Sequence, residues 1–329
     1  MNMRRIEFHN REKETKEIVK ILDTEPSLIT FVYGPINSGK TTMISHLIKE
    51  LPEDYTPFYV NLRGRFITDY EDFLNVLFEI DEGGGVDNVT EYVKSALKDL
   101  GAVSGIPIPI NLFNQIFEKK DKSKDMFKYI EQFFVEISKT RTPILIIDEL
   151  QVIGDLKVDG LLIYKLFNFF VRLTKEKHIA HVFVATSDSL FLEQVYTEAM
   201  LSGRCRYLLV DDFDRETTTA FLEGHGFTDS EIAMAWEYCG GKPVFLLELI
   251  HADEKERLAR KMLTTRVNQL KDLLDYLEYT KPRITIGEDE YMVEKEDIVA
   301  ILSRFADVER IDDSGLNRPA KQFLIKGNR

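Results

Sequence analysis

The sequence predicts an α/β protein in which roughly the first 215 residues form a parallel β-sheet covered on both faces by helices. Three observations carry this. Short β-rich apolar runs alternate with stretches of helical periodicity, the order that right-handed crossovers turn into a parallel sheet. One of those runs, Ile144 to Ile147, is apolar at every position, as a strand buried on both faces must be. A glycine-rich loop follows the first run and opens a helix.

Taken in order, Glu12 to Leu22 reads as an amphipathic helix with Ile18, Val19, Ile21 and Leu22 apolar, broken by Asp23-Thr24-Glu25-Pro26. Ser27 to Tyr33 is the first strand, and Thr42 to Leu51 the next helix, with Met43, Leu47 and Ile48 at helical spacing. Phe58 to Leu62 is the second strand, the run ending at Asp148 the third, His181 to Thr186 the fourth and Arg206 to Val210 the fifth. Between the second and third strands, Asp81-Glu82-Gly83-Gly84-Gly85 reads as a flexible loop and Gly105-Ile106-Pro107-Ile108-Pro109-Ile110 as an extended one. Both are connectors first and partner contacts second. Gly240-Gly241 ends the apolar helix Ile232 to Tyr238, and Pro243 begins another. Leu258, Met262, Leu263, Val267, Leu270, Leu274 and Leu277 then recur at helical spacing. Beyond Pro282 come short elements: Arg283 to Ile286, Tyr291 to Val293, a helix at Lys295 to Phe305, Val308 to Ile311 and Gln322 to Ile325, which fit a compact α/β module or a winged helix.

The loop Gly34-Pro35-Ile36-Asn37-Ser38-Gly39-Lys40-Thr41 fits G-x-x-x-x-G-K-[ST] in the required strand-loop-helix setting. Glycines let successive backbone N–H groups point inward, and the N-terminus of the following helix adds to that anion site, so the loop points to a nucleoside triphosphate. Lys40 reaches the β- and γ-phosphates, and the Thr41 hydroxyl ligates magnesium. At the C-terminal end of the third strand, Asp148 would hold Mg2+, directly or through water, and Glu149 would orient the attacking water. An Asp-Glu pair capping the next helix is the alternative.

With 44% hydrophobic and 30% charged residues, the chain can bury a large core and more than one domain. Cys205 and Cys239 have no metal-ligand or redox spacing, which suits a reducing compartment. The first ten residues lack a signal-peptide core, and no apolar run approaches the roughly 18 residues of a membrane span, so a cytoplasmic protein away from the membrane is expected. A net charge of -13 argues against nucleic-acid binding over the whole surface. Residues 314–329 carry Arg318, Lys321, Lys326 and Arg329 with no acidic residue, so a local DNA site stays open beside solvated terminal charge.

Phe8-His9-Asn10-Arg11-Glu12-Lys13-Glu14, the phosphate loop, Asp148-Glu149-Leu150-Gln151 and Gly240-Gly241-Lys242-Pro243 together resemble the archaeal ATPase family of the STAND class of P-loop NTPases, relatives of AAA+ proteins, over about residues 4 to 250. The resemblance implies a five-stranded sheet in the order 5-1-4-3-2 and an ATPase core over residues 1–214. A helical lid over 215–252 and a long helix with a winged-helix-like module over 253–329 would follow. It implies ATP and Mg2+ as ligands, with Gly34 to Thr42, Arg11 and Pro243 around the nucleotide. Arg11 would lie near the nucleotide or lock the N-terminal helix, and Pro243 would pack beside the adenine. Thr186 or Ser187 would sense the γ-phosphate, or cap the helix at Leu190 to Tyr196. Arg204, with Arg206 as its competitor, would stabilise transition-state charge in the same or a neighbouring subunit. Three functions follow: an ATP-hydrolysing switch coupled to a protein partner, a DNA-associated AAA+-type loader or motor, and a non-hydrolysing nucleotide-binding scaffold. A homo-oligomer is compatible with each.

Overall fold

The computed structural model describes residues 11–82, 89–96, 103–118, 122–154, 156, 161–198, 201–286, 289–308, 311–312 and 315–327. Phe8-His9-Asn10, the Gly83-Gly84-Gly85 loop and Arg329 lie outside the described residues.

Helix α1 (Glu12–Leu22) leads into β1 (Ile29–Tyr33), the phosphate loop and α2 (Lys40–Glu50). Strand β2 (Tyr55–Asn61), α3 (Tyr70–Leu77), β3 (Phe78–Asp81), α4 (Val89–Ala96), β4 (Val103–Ser104), β5 (Ile106–Pro109), α5 (Ile110–Glu118) and α6 (Lys122–Ile137) fill the interval before β6 (Thr142–Asp148). Then come α7 (Leu162–Val171), β7 (His181–Thr186), α8 (Ser189–Glu198) and β8 (Cys205–Leu209). The main sheet runs β8-β1-β7-β6-β2-β4, and every pairing in it is parallel. The five strands foreseen from the sequence therefore lie fifth, first, fourth, third, second, and the sheet gains a sixth, the two-residue β4, at the β2 edge.

Side chains alternate across this sheet, as the two-residue repeat of a strand requires. Ile29, Phe31, Phe58, Val60, Leu145, Ile147, Val182 and Val184 face a core shared with α3, α6 and α7. Val32, Ile144, Ile146, Phe183 and Ala185 face a smaller core under α1 and α2. Aromatic rings dominate the larger core: Phe58 meets Phe133 at 5.5 Å and Phe134 at 5.3 Å, centroid to centroid. The Gly105–Ile110 stretch is more than a connector. Ile106 to Pro109 pair in parallel with Phe78 to Asp81, buried along their length, and Tyr129 donates to the Pro107 carbonyl at 2.6 Å. Pro107 and Pro109 have no N–H to give, which confines β5 to a two-stranded sheet.

Two compact units emerge. The first is residues 1–217 with Lys242–Val244; the second is 218–241 with 245–329. The second unit takes in most of α9 (Arg215–Glu223), α10 (Asp229–Cys239), most of α11 (Pro243–Ile250) and α12 (Lys255–Tyr279). Thr228 and Glu231 form a reciprocal capping box at the start of α10, and α10 packs on α12. An antiparallel hairpin follows, β9 (Arg283–Ile286) with β10 (Asp289–Met292), then α13 (Lys295–Ser303) and α14 (Arg318–Gly327). They bury Leu277, Ile284, Val293, Ile298, Ile301 and Ala320. The stretch Gln322 to Ile325 is part of α14. Among the described residues, no helix is long and apolar enough to cross a membrane.

Phe133 is wholly buried between Phe58 and Tyr129. Phe133→Ala removes that ring from a close-packed core and is expected to destabilise the first unit by about 3–5 kcal/mol, read from denaturant unfolding.

Candidate nucleotide site

Everything that the sequence assigned to phosphate chemistry, Arg204 and Arg206 excepted, converges on the C-terminal end of the sheet. Tyr33 pairs with Thr186, Ala185 with Asp148 and Asp148 with Asn61, so the ends of β1, β7, β6 and β2 lie side by side. Ligand sites of open parallel sheets form at these ends.

The phosphate loop needs three left-handed residues to turn from β1 into α2: Gly34 at φ 157°, Asn37 at 63° and Gly39 at 94°. At Gly34 the reason is also steric, since a Cβ there would stand 2.1 Å from the Val210 carbonyl oxygen. That close approach is secured by the Val210 amide donating to Tyr33 at 2.7 Å. The Lys40 ammonium curls back over the loop and donates to the carbonyls of Gly34 at 3.0 Å and Pro35 at 2.8 Å. Burial lowers its pKa to about 8; Glu149 and Asp148 pull it up, and Arg63 and Lys242 push it further down. Thr42 follows Thr41 in the first turn of α2.

Thr41 and Asp148, from two separate motifs, are in direct contact: the hydroxyl donates to Asp148 Oδ2 at 2.7 Å. Tyr59 of β2 donates to the same oxygen at 3.0 Å. The other oxygen, Oδ1, is buried with no hydrogen-bond partner among the described residues. Burial raises the Asp148 pKa, the two hydroxyls counter that, and Glu149 adds to it. A buried carboxylate with an orphaned oxygen beside a threonine hydroxyl is a donor set that fits magnesium, which takes one or two protein oxygens together with the phosphates of its substrate. Among the described residues no cluster of three or more His, Cys, Asp or Glu could hold a metal by itself.

Glu149 breaks from the strand in a left-handed conformation, φ 63° and ψ 40°, uncommon for a residue with a side chain. It precedes the short 3-10 turn Leu150–Ile153 without capping it by its side chain. The carboxylate is engaged at both oxygens, Oε1 by Arg63 Nη2 at 2.6 Å and Oε2 by Gln151 Nε2 at 2.5 Å. Gln151 Oε1 in turn accepts from the Thr186 hydroxyl at 2.8 Å. Thr186 is completely buried and its oxygen accepts the Asp188 amide at 3.0 Å. The cap of α8 falls to Asp188, whose Oδ1 takes the Leu190 and Phe191 amides, so neither Thr186 nor Ser187 serves it. The Ser187 hydroxyl is buried without a partner among the described residues.

Arg11 bonds both the phosphate loop and its own helix. Its Nη2 donates to the Ser38 carbonyl at 2.5 Å and to the Asp211 carbonyl at 2.6 Å, Nη1 pairs with Glu14 at 3.0 Å, and the guanidinium lies 4.8 Å from the Phe213 ring centroid. One side chain thus ties the start of α1, the phosphate loop and the segment after β8. Pro243 is the first residue of α11, where a missing N–H costs nothing. Its neighbour Lys242 pairs with Asp212 at 3.6 Å, next to the Arg11 contact. Burial raises the Asp212 carboxyl, and Lys242 opposes the rise.

Arg204 is not brought to this site. Its carbonyl accepts from the Ile29 amide at the opposite end of β1. The length of β1 then separates it from Gly34, about 15 Å at roughly 3.3 Å per residue, farther than an arginine side chain reaches. Arg206, one residue into β8, bonds Ser27 at 3.1 Å and is likewise at the wrong end. A parallel strand carries its first residues away from the ligand end, and nearness in sequence to that strand could not reveal it. The residues missed by sequence reasoning, Tyr59, Arg63, Gln151, Lys242 and Asp212, meet the site through pairings that no local pattern encodes; Gln151 and Lys242 stood inside quoted motifs without a role.

Comparison with known proteins agrees with this geometry. Residues 8–249 match an ATPase domain predominantly from Archaea, and residues 256–329 match the C-terminal domain of "Uncharacterized ATP-binding protein MJ1010-like" proteins. An uncharacterized ATP-binding protein of Pyrococcus abyssi is 52% identical over 273 residues, 82% of this chain and 80% of that protein. One from Methanocaldococcus jannaschii is 43% identical over 335 residues, 98% of this chain and 93% of the other. Among solved structures, the Walker-type ATPase paby2304 of Pyrococcus abyssi shares the fold, with a TM-score of 0.56 at 17% identity over 84% of this chain and 77% of that one. With a domain match over most of its length and relatives of this identity, the chain belongs to the family of ATPase domains found predominantly in Archaea.

Proposed function

We propose that this chain binds ATP with magnesium and hydrolyses it as a conformational switch of the STAND kind, coupled to a protein partner. One arrangement supports the reading above all: the phosphate loop, the Asp148–Glu149 pair and Thr186 stand at the adjoining ends of β1, β6 and β7. Lys40 exchanges its two carbonyl partners for phosphate oxygens, and the loop amides bind the rest. Asp148 and Thr41 would hold magnesium, which supplies charge neutralisation on the phosphates when bound. Glu149 orients the attacking water and takes its proton, once an oxygen is released from Arg63 or Gln151. Pro243 stands by the base, and residues 215–252 act as the lid. Within the same chain the added positive charge comes from Arg63 and Lys242; Arg204 serves only a second copy, in a homo-oligomer.

The test is Mg-ATP turnover of the wild type and Glu149→Gln, each with and without duplex DNA at several salt concentrations. Glu149→Gln is expected to keep ATP binding and to lose at least about tenfold in turnover, the scale of a lost general base. Equal rates would leave the non-hydrolysing scaffold. A Glu149-dependent rate raised by DNA in a salt-sensitive manner would turn the reading toward the DNA-associated ATPase, for which the acid-free stretch of α14 is the motive.

Lys40→Ala deletes the charge aimed at the phosphates and is expected to weaken ATP binding by about 10- to 100-fold in a calorimetric titration, the scale of one or two charge-assisted hydrogen bonds. Gly34→Ala drives a methyl into the Val210 carbonyl and is expected to weaken it at least about tenfold through displacement of the loop. Binding should also depend on pH. With a pKa of about 8, Lys40 is largely neutral above that pH in the nucleotide-free protein, and phosphate favours its charged form. ATP binding near pH 9 is therefore expected to take up close to one proton, and affinity to fall as pH rises through about 8. Calorimetry in two buffers of different ionisation enthalpy measures the uptake.

A further inference from the structure

Thr186 has one proton to give, and in this structure it gives it to Gln151. The hydroxyl donates to Gln151 Oε1 at 2.8 Å, and its oxygen already accepts the Asp188 amide. The residue is fully buried and ends β7 between the strand that feeds the phosphate loop and the strand that ends in Asp148. A terminal phosphate seated over Lys40 would find a donor there that is already spent, because a hydroxyl carries a single O–H.

From this geometry we propose that Gln151 is a positioning residue that competes with the terminal phosphate for the Thr186 proton and passes the outcome to Glu149. The inference rests on the nucleotide site described above. The Gln151 amide is a two-ended connector. Its oxygen is held by Thr186 and its nitrogen donates to Glu149 Oε2 at 2.5 Å, while Arg63 holds Oε1. Accepting at one end of an amide strengthens donation at the other, so the Thr186 bond tightens the grip on Glu149. When a γ-phosphate takes the Thr186 proton, that reinforcement is lost, the amide is released, and Glu149 gains an oxygen for water. ADP, with no third phosphate, leaves the connector in place. By reciprocity, whatever binding the γ-phosphate costs the Gln151–Glu149 contact, that contact costs the binding of the γ-phosphate.

The consequence is an unusual sign: removing a polar side chain should improve binding of the triphosphate. Calorimetry with magnesium and a non-hydrolysable ATP analogue, and separately with ADP, reads it. Gln151→Met keeps the volume and abolishes the bond to Thr186. It is expected to raise affinity for the analogue about fivefold, the net worth of one hydrogen bond, and to leave ADP unchanged. In a Thr186→Val background the same substitution is expected to change neither affinity, since no proton is left to contest. Gln151→Asn, too short to span both partners, repeats the measurement if Gln151→Met does not fold. An analogue-to-ADP affinity ratio that stays constant or falls in the Gln151 variant overturns the proposal, as does a rise that persists in the Thr186→Val background. Failure of the wild type to bind either nucleotide would instead overturn the reading of the site itself, and this inference with it.

Discussion

The contact on which this protein turns is the hydrogen bond between Thr41 and Asp148. It joins the first turn of α2 to the last residue of β6, two motifs 107 positions apart in sequence. That contact exists only because parallel pairing brings β1, β7 and β6 to a common end, and the pairing in turn requires each central strand to be apolar on both faces. The buried valines and isoleucines of the sheet hold polar groups in register at its rim. Loss of that register by one residue would turn Asp148 toward the opposite face of the sheet.

A second layer of constraint is borne by Arg11. A guanidinium offers several donors in a fixed plane, and here they satisfy two backbone carbonyls and one carboxylate at once. A carbonyl of the phosphate loop, Ser38, is anchored from outside, and the same anchor holds the segment that carries Asp211 and Asp212. The loop, the N-terminal helix and the chain after β8 are thereby one mechanical unit.

How much of this was legible follows from the range of each interaction. The strands, the phosphate loop and the Asp148–Glu149 pair announce themselves through neighbours in sequence, and they lie where pattern and turn chemistry put them. Arg11 was narrowed to two roles, and its contacts reach both the phosphate loop and its own helix. Arg63 and Gln151 were beyond reach, because their meaning depends on where Glu149 points, and its left-handed backbone is set by tertiary context. Arg204 sits beside the fifth strand in sequence and at the far end of the sheet in space. The proline-rich run Ile106 to Pro109 looked like a connector because prolines interrupt ladders; with a partner strand on one side only, it is a buried strand.

The three residues Lys242–Val244 belong to the first unit although the chain on both sides of them belongs to the second. The nucleotide-binding unit is therefore not a contiguous stretch of polypeptide. A fragment ending after β8 would retain every strand of the sheet and lose both Lys242 and Pro243, along with the partner of Asp212. During synthesis, too, the first unit cannot be finished when its sheet is; it waits for α10 to be made and for the chain to return. Completion of the first unit is thus tied to the stretch of chain that separates its two segments.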